Sequence, residues 1–225
     1  MKRCFVYRER ERFYRGLKIS AWPGIHEEVA EKVGELLPRG SKIADLGAGE
    51  GSLALRLIDQ GYRVKAFDLA PENFKLEPDL LVQCDLSSPE DTKKVAEEFR
   101  GQFDGVVAVE IVEHLTDPWR LVELAREILR EKGVLILTTP NIESVFSRLS
   151  FLFRAQFPLF PFDEKLLPGT RGPKTGHINP VSSKELLYIL RNSGFEVLES
   201  APVGLMPFLY LKGGLEFTRP TSRLT

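Results

Sequence analysis

Within five consecutive residues, Glu110-Ile111-Val112-Glu113-His114, the chain offers two carboxylates and an imidazole. Wound as a helix, this segment would put Glu110, Glu113 and His114 on one face, at offsets of three and four. Oxygen and imidazole ligands together suit Mg, Mn or Zn. The same groups can instead do proton chemistry. Of the three histidines in the chain, His26, His114 and His177, the last two sit at candidate strand-end loops. Either could be the general base that takes a hydroxyl proton, and Glu110 completes the candidate catalytic set.

A second constellation is Asp45-Leu46-Gly47-Ala48-Gly49-Glu50-Gly51, followed by Ser52. Glycines at alternate positions let a backbone turn sharply and approach a ligand closely. The dinucleotide fingerprint would want glycine at 47, 49 and 52, but Ser stands at 52, and no Gly-Lys-Ser/Thr follows to make a phosphate loop. Asp45 and Glu50 crowd the turn with negative charge. A pyrophosphate would be repelled there, whereas a ligand carrying an ammonium and a sulfonium would be attracted. Two further acids recur in register. Asp68, about 20 residues beyond the glycines, is placed to accept from two ribose hydroxyls, and Asp85 stands where an adenine amino group could be read.

The elements that must position these residues alternate. Strands are expected at 42–46, 63–67, 80–83, 104–109, 134–138 and from 195, with helices at 25–37, 52–60, 91–100, 118 to about 132 and 183–193. Asp117 or Thr116 with Pro118 signals a helix start, Gly133 its end, and Ser182 with Glu185 forms a capping-box pattern. Residues 1–20 read as a charged helical lead-in. Repeated β-α units imply right-handed crossovers and a Rossmann-like, doubly wound α/β fold, with a mainly parallel seven-stranded sheet. Ligands in such sheets bind beyond the carboxyl ends of the strands. The division expected is a helical extension at 1–40 and one domain at 41–225, carrying an insertion at 142–176 after the fifth strand.

At 225 residues, with a net charge of -1 and two cysteines, the chain fits one α/β domain without a disulfide framework. Charge balance argues against bulk nucleic acid as partner. The start has no apolar stretch of a secretory signal and no apolar run is long enough to span a bilayer, so the expected compartment is a reducing cytoplasm.

Ile43 to Leu57, Asp68, Asp85 and Phe103 to Val107 resemble, in order, the motifs of class I S-adenosylmethionine-dependent methyltransferases. The stretch from Val109 to Asn141 resembles the branch of ubiquinone-pathway O-methyltransferases, the UbiG/Coq3 kind. The resemblance covers about residues 40 to 200. It implies that Asp45, Gly47, Ala48, Gly49 and Gly51 line the S-adenosyl-L-methionine pocket, with Leu69, Leu86 and Glu110 beside them. Asp68 then holds the ribose and Asp85 the adenine. UbiG/Coq3-like enzymes carry a Glu-x-x-Glu-His pattern linked to divalent metal. The Hen1 group, which methylates RNA 3′ ends, holds a metal with two glutamates and two histidines, which Glu110, Glu113, His114 and His177 could match. In many relatives without metal, His114 would simply orient the loop or approach the methyl donor.

The insertion is aromatic: Phe146, Phe151, Phe153, Phe157, Phe160 and Phe162 are six of the fifteen phenylalanines. It reads either as a lid or membrane-surface helix at 144–162, peripheral to the bilayer and serving an apolar acceptor, or as a helix buried against the core or a homodimer partner. Gly169 to Lys174 reads as a basic loop, and the tail from Ala201 as closing strands with a frayed end. The leading expectation is O-methylation of a small, hydrophobic or lipid-linked acceptor. RNA 3′-end methylation, a non-catalytic donor-binding scaffold and an NAD-dependent oxidoreductase are the rivals.

Overall fold

The computed structural model describes residues 12–160, 176–202, 205–206, 210–211 and 214–220. Seven strands form one sheet: β1 (Lys42–Leu46), β2 (Arg63–Asp68), β3 (Leu81–Gln83), β4 (Phe103–Val109), β5 (Leu129–Thr139), β6 (Phe195–Pro202) and β7 (Gly214–Pro220). Their order is β3-β2-β1-β4-β5-β7-β6. The first five are parallel, and β7 runs antiparallel to both β5 and β6. The order reverses between β1 and β4, so the crevice for ligand opens where those two strands end.

The described residues include six helices: α1 (Ile25–Leu36), α2 (Ser52–Asp59), α3 (Pro89–Phe99), α4 (Pro118–Ile128), α5 (Val145–Arg154) and α6 (Ser183–Asn192). Four begin with a side-chain cap: Ser88, Asp117, Ser144 and Ser182 accept from the amides of Asp91, Trp119, Ser147 and Glu185. Each such cap is worth about 1 kcal/mol. β1 and β4 are buried along almost their whole length because helices cover both faces of the sheet. On one face, α3, α4 and α6 bury Val95, Leu121, Ala125, Ile128, Leu186 and Leu190, with Phe67, Phe99 and Phe103 packed ring against ring at 5.3–6.0 Å. On the other, α1 and α2 bury Ile25, Val29, Val33, Leu53 and Leu57 against Ile43, Val107 and Ile136.

Two expectations fail. Residues 13–18 are a β-hairpin, Phe13–Tyr14 paired with Leu17–Lys18, and not a helix. Arg15 and Gly16 both take positive φ, 47° and 86°, the two-residue turn that suits the twist of a hairpin. And α4 stops at Ile128, not near Gly133, because Leu129 already pairs with Phe103; the Lys132-Gly133 turn lies inside β5, at an irregularity in its pairing.

The tail does close the sheet, through β7. Among the described residues no helix is long and apolar enough to cross a membrane. Residues 1–11, the part of the insertion at 161–175 with its basic loop, and the final five residues lie outside the described ones.

Candidate active site

A cavity of about 930 Å³ opens at the carboxyl ends of β1 and β4. Its floor is the glycine turn. Gly47, Gly49 and Gly51 all have positive φ, 83°, 55° and 88°, and a side chain on Gly47 would come within 2.8 Å of Ile111. Only glycine lets this backbone pass so close beneath its neighbour.

Asp45, at 2% exposure, points into the cavity from β1. The amide of Ala54 in α2 donates to its carboxylate, yet Oδ2 is buried without a hydrogen-bond partner. Burial first, and then the charge of Asp68, raise its pKa to about 7. An orphaned buried acid of this kind fits a cationic ligand, since an ammonium beside it would satisfy Oδ2 and hold the group ionised.

Asp68 ends β2. Its Oδ2 accepts from the amide of Gly49 at 2.8 Å and its Oδ1 from Ala70 at 2.9 Å, so the carboxylate is clamped to the turn with lone pairs left over. Asp85 caps its own turn through Ser87 at 2.8 Å. Glu50 accepts from the amide of Lys18, tying the hairpin to the turn at 2.9 Å.

Opposite stands the Glu-x-x-Glu-His segment. It does not wind as expected: Glu110 is a non-glycine residue at φ 52°, Ile111 follows at φ -120°, and only Val112–His114 form a 3-10 turn. The proposed common face is therefore broken. Glu110 lines the cavity, with its amide and a carboxylate oxygen both bonded to Thr138. Glu113 is turned fully inside, accepting from Thr139 Oγ1 at 3.3 Å, while its Oε1 makes no hydrogen bond.

His177 arrives from the far side of the insertion. The amides of Ile178 and Asn179 both donate to the Glu113 carbonyl and seat its chain there. Its Nε2 is 3.9 Å from Glu113 Oε1, and its ring meets His114 edge-on at 4.7 Å. Ligand atoms of Glu113, His114 and His177 lie within 4.8 Å of one another; Glu110 is outside that group. Burial pushes Glu113 well above the carboxylate range, with the charge of Glu110 adding to it. Burial also lowers both histidines, His177 further through His114, so both rings favour the neutral form.

Of the residues read as donor-binding, Asp45, Gly47, Ala48, Gly49 and Glu110 line the cavity together with His114 and His177. Gly51, Asp68, Leu69, Asp85 and Leu86 are not among its lining residues. Gly51 lies under Phe74, and Leu86 is 5% exposed, its side chain part of the main core, so it can offer a ligand only backbone.

Sequence reading missed one wall entirely. Phe13, Lys18, Ile19, Trp22 and His26 face the same space, so all three histidines of the chain meet there. His26 is buried beside Ser52, with Nδ1 3.5 Å from its Oγ, and burial with the nearby Arg56 charge lowers its pKa to about 4. The Arg15-Gly16 step between Phe13-Tyr14 and Leu17 was the available signal.

Three comparisons bear on this geometry. The family model described as a methyltransferase domain matches residues 19–200. A ubiquinone biosynthesis O-methyltransferase of Xanthomonas axonopodis pv. citri is 32% identical over 168 residues, covering 72% of this chain and 65% of that protein. One of Xanthomonas campestris pv. campestris is 35% identical over 108 residues, 45% of this chain and 44% of its own length. The matched stretch thus spans less than two thirds of either relative. Among solved structures, an S-adenosylmethionine-dependent methyltransferase of Methanosarcina mazei superposes with a TM-score of 0.61 at 20% identity, over 85% of this chain and 98% of its own. The magnesium protoporphyrin IX methyltransferase of Synechocystis, solved with S-adenosylhomocysteine, gives 0.60 at 15% identity, over 87% and 82%.

Proposed function

The chain belongs to the class I S-adenosylmethionine-dependent methyltransferases, and from that premise we propose that it methylates a hydroxyl of a small, apolar or lipid-linked acceptor. One observation carries the reading: a single cavity joins the acid-lined glycine turn to His114 and His177, whose burial lowers their pKa. S-adenosylmethionine, when bound, supplies an electrophilic methyl group on a sulfonium. Asp45 would face the ammonium of that donor and Asp68 its ribose hydroxyls, while Glu110 adds negative charge on the acceptor side of the turn.

The reaction asks the protein for alignment and for one proton transfer. His177 is suited to the second task. Its Nδ1 is hydrogen-bonded to the Leu159 carbonyl at 2.8 Å, which keeps the ring proton on Nδ1 and makes Nε2 the basic nitrogen. General-base assistance of this kind contributes about 10²- to 10⁴-fold. Helix α5, with Phe151, Leu152 and Phe153 at 51–80% exposure, supports an apolar or lipid-linked acceptor presented beside it. The test is calorimetry with S-adenosylhomocysteine, NAD and ATP, followed by labelled-methyl transfer to phenolic and lipid-extract acceptors. Preference for NAD, or donor binding with no methyl acceptor in any extract, would refute the reading.

A second reading is that Glu113, His114 and His177 hold a divalent cation that polarises the acceptor oxygen. The orphaned Glu113 Oε1 and the closeness of the three ligand atoms favour it. Metal analysis of the purified chain, and methylation with and without chelator, distinguishes the two.

A further inference from the structure

Helix α5 and the segment behind it are connected to His177 by an unbroken series of contacts. Phe151 stacks on Phe157 at 4.8 Å, Phe157 meets Phe160 at 6.4 Å, and Phe160 meets the His177 ring at 5.3 Å. The turn that carries these rings is fixed internally. The Phe160 amide donates to the Phe157 carbonyl at 3.0 Å, and Ser150 Oγ in α5 donates to the Gln156 carbonyl at 2.8 Å. Gln156 Nε2 reaches back to the Phe160 carbonyl at 3.3 Å. Phe160 is 2% exposed, whereas most of the apolar side chains of α5 face outward. At the end of this turn the Leu159 carbonyl meets His177 Nδ1 at 2.8 Å. A carbonyl has no proton to give, so at that distance the proton belongs to Nδ1.

We propose that Phe160 and the Leu159 carbonyl act as a clamp on His177, holding the ring in its Nδ1–H tautomer with Nε2 as its basic nitrogen. Phe160 is thereby a positioning residue: it is not among the residues lining the cavity, and acts through the imidazole. The clamp also explains why one buried phenylalanine belongs to an otherwise exposed aromatic segment. It rests on the reading of His177 as the base only for its consequence in catalysis; the tautomer itself is independent of that reading.

The experiment uses the full chain with ¹⁵N-labelled histidine, in which only three rings need assignment. Long-range ¹H–¹⁵N correlation at alkaline pH is expected to show His177 as a single Nδ1–H form in the wild type. Phe160→Ala is expected to give a mixture of tautomers and to lower kcat by about tenfold to a hundredfold with donor KM unchanged. Phe160→Leu, which keeps the seat filled, should restore most of both. A wild-type ring protonated on Nε2, or a Phe160→Ala ring still wholly in the Nδ1–H form, overturns the clamp. Should Phe160→Ala not fold, the wild-type spectrum decides the tautomer and Ser150→Ala serves as the loosening variant, with an unchanged tautomer counting against the proposal. If His177→Ala leaves methyl transfer intact while the tautomer behaves as expected, the base reading fails and the clamp stands.

Discussion

Replacing Asp45 with Asn isolates the electrostatic idea on which donor recognition depends. The folded carboxyl has its pKa raised from 3.8 to about 7, chiefly by burial. Between those values the folded chain holds a proton that the unfolded chain has lost, so stability must fall as pH rises through the interval. Each pH unit spent with that extra proton is worth about 1.4 kcal/mol, which over the whole interval amounts to about 4 kcal/mol. An isosteric amide carries no such charge. Urea unfolding of both proteins should therefore show Asp45→Asn gaining on the wild type as pH climbs from 3.8 to about 7, and keeping that advantage above it. Taking the difference between the two proteins cancels the other titrating groups.

Ligand binding should move the opposite way. An ammonium against Asp45 needs the carboxylate ionised, so wild-type affinity for S-adenosylhomocysteine should drop about tenfold per pH unit below the folded pKa, with protons released on binding. Asp45→Asn should weaken that affinity by at least about thirty-fold, the low end for removing one partner of a buried charge pair. Parallel stability profiles for the two proteins, or an affinity indifferent both to pH and to the substitution, would refute the reasoning.

Other outcomes follow from the same geometry. Asp68→Asn should weaken S-adenosylhomocysteine binding by about ten- to a hundredfold through loss of charge-assisted bonds, read by calorimetry. Gly47→Ala forces a side chain at φ 83° to within 2.8 Å of Ile111. The left-handed backbone alone costs about 1–2 kcal/mol, so its thermal midpoint should fall and donor binding with it. His26 has its folded pKa lowered from 6.5 to about 4 by burial, so the stability it contributes is present above 6.5 and is lost as pH falls toward 4. His26→Gln should flatten that acid limb, worth about 3 kcal/mol, in unfolding measured against pH.

Much of the scaffold was legible because its signals are local. Lys42–Leu46 is a short apolar run ending at glycine, and Ser182 with Glu185 marks the start of α6, the Ser182 hydroxyl accepting from the Glu185 amide. The Asp45, Gly47 and Gly49 part of the donor turn was equally readable, since positive φ and crowded acids show in residue type. What escaped was set by distant partners. Glu113 is buried because Thr139 and the 177–179 segment close over it, and nothing in its spacing from Glu110 announces that. The left-handed φ of Glu110 goes with its bonding to Thr138 on the neighbouring strand. α4 ended early for a similar reason, a strand pairing that local helix propensity could not foresee.

The placement of β7 carries a consequence for how the chain assembles. It is the last described strand in sequence, yet it sits in the interior of the sheet, hydrogen-bonded on both sides to β5 and β6. Until residues 214–220 emerge, β6 has no strand to pair with, and a half-made molecule presents two open edges side by side, a vulnerable state during synthesis. A stop codon shortly before Gly214 should therefore yield aggregates and not merely a trimmed protein.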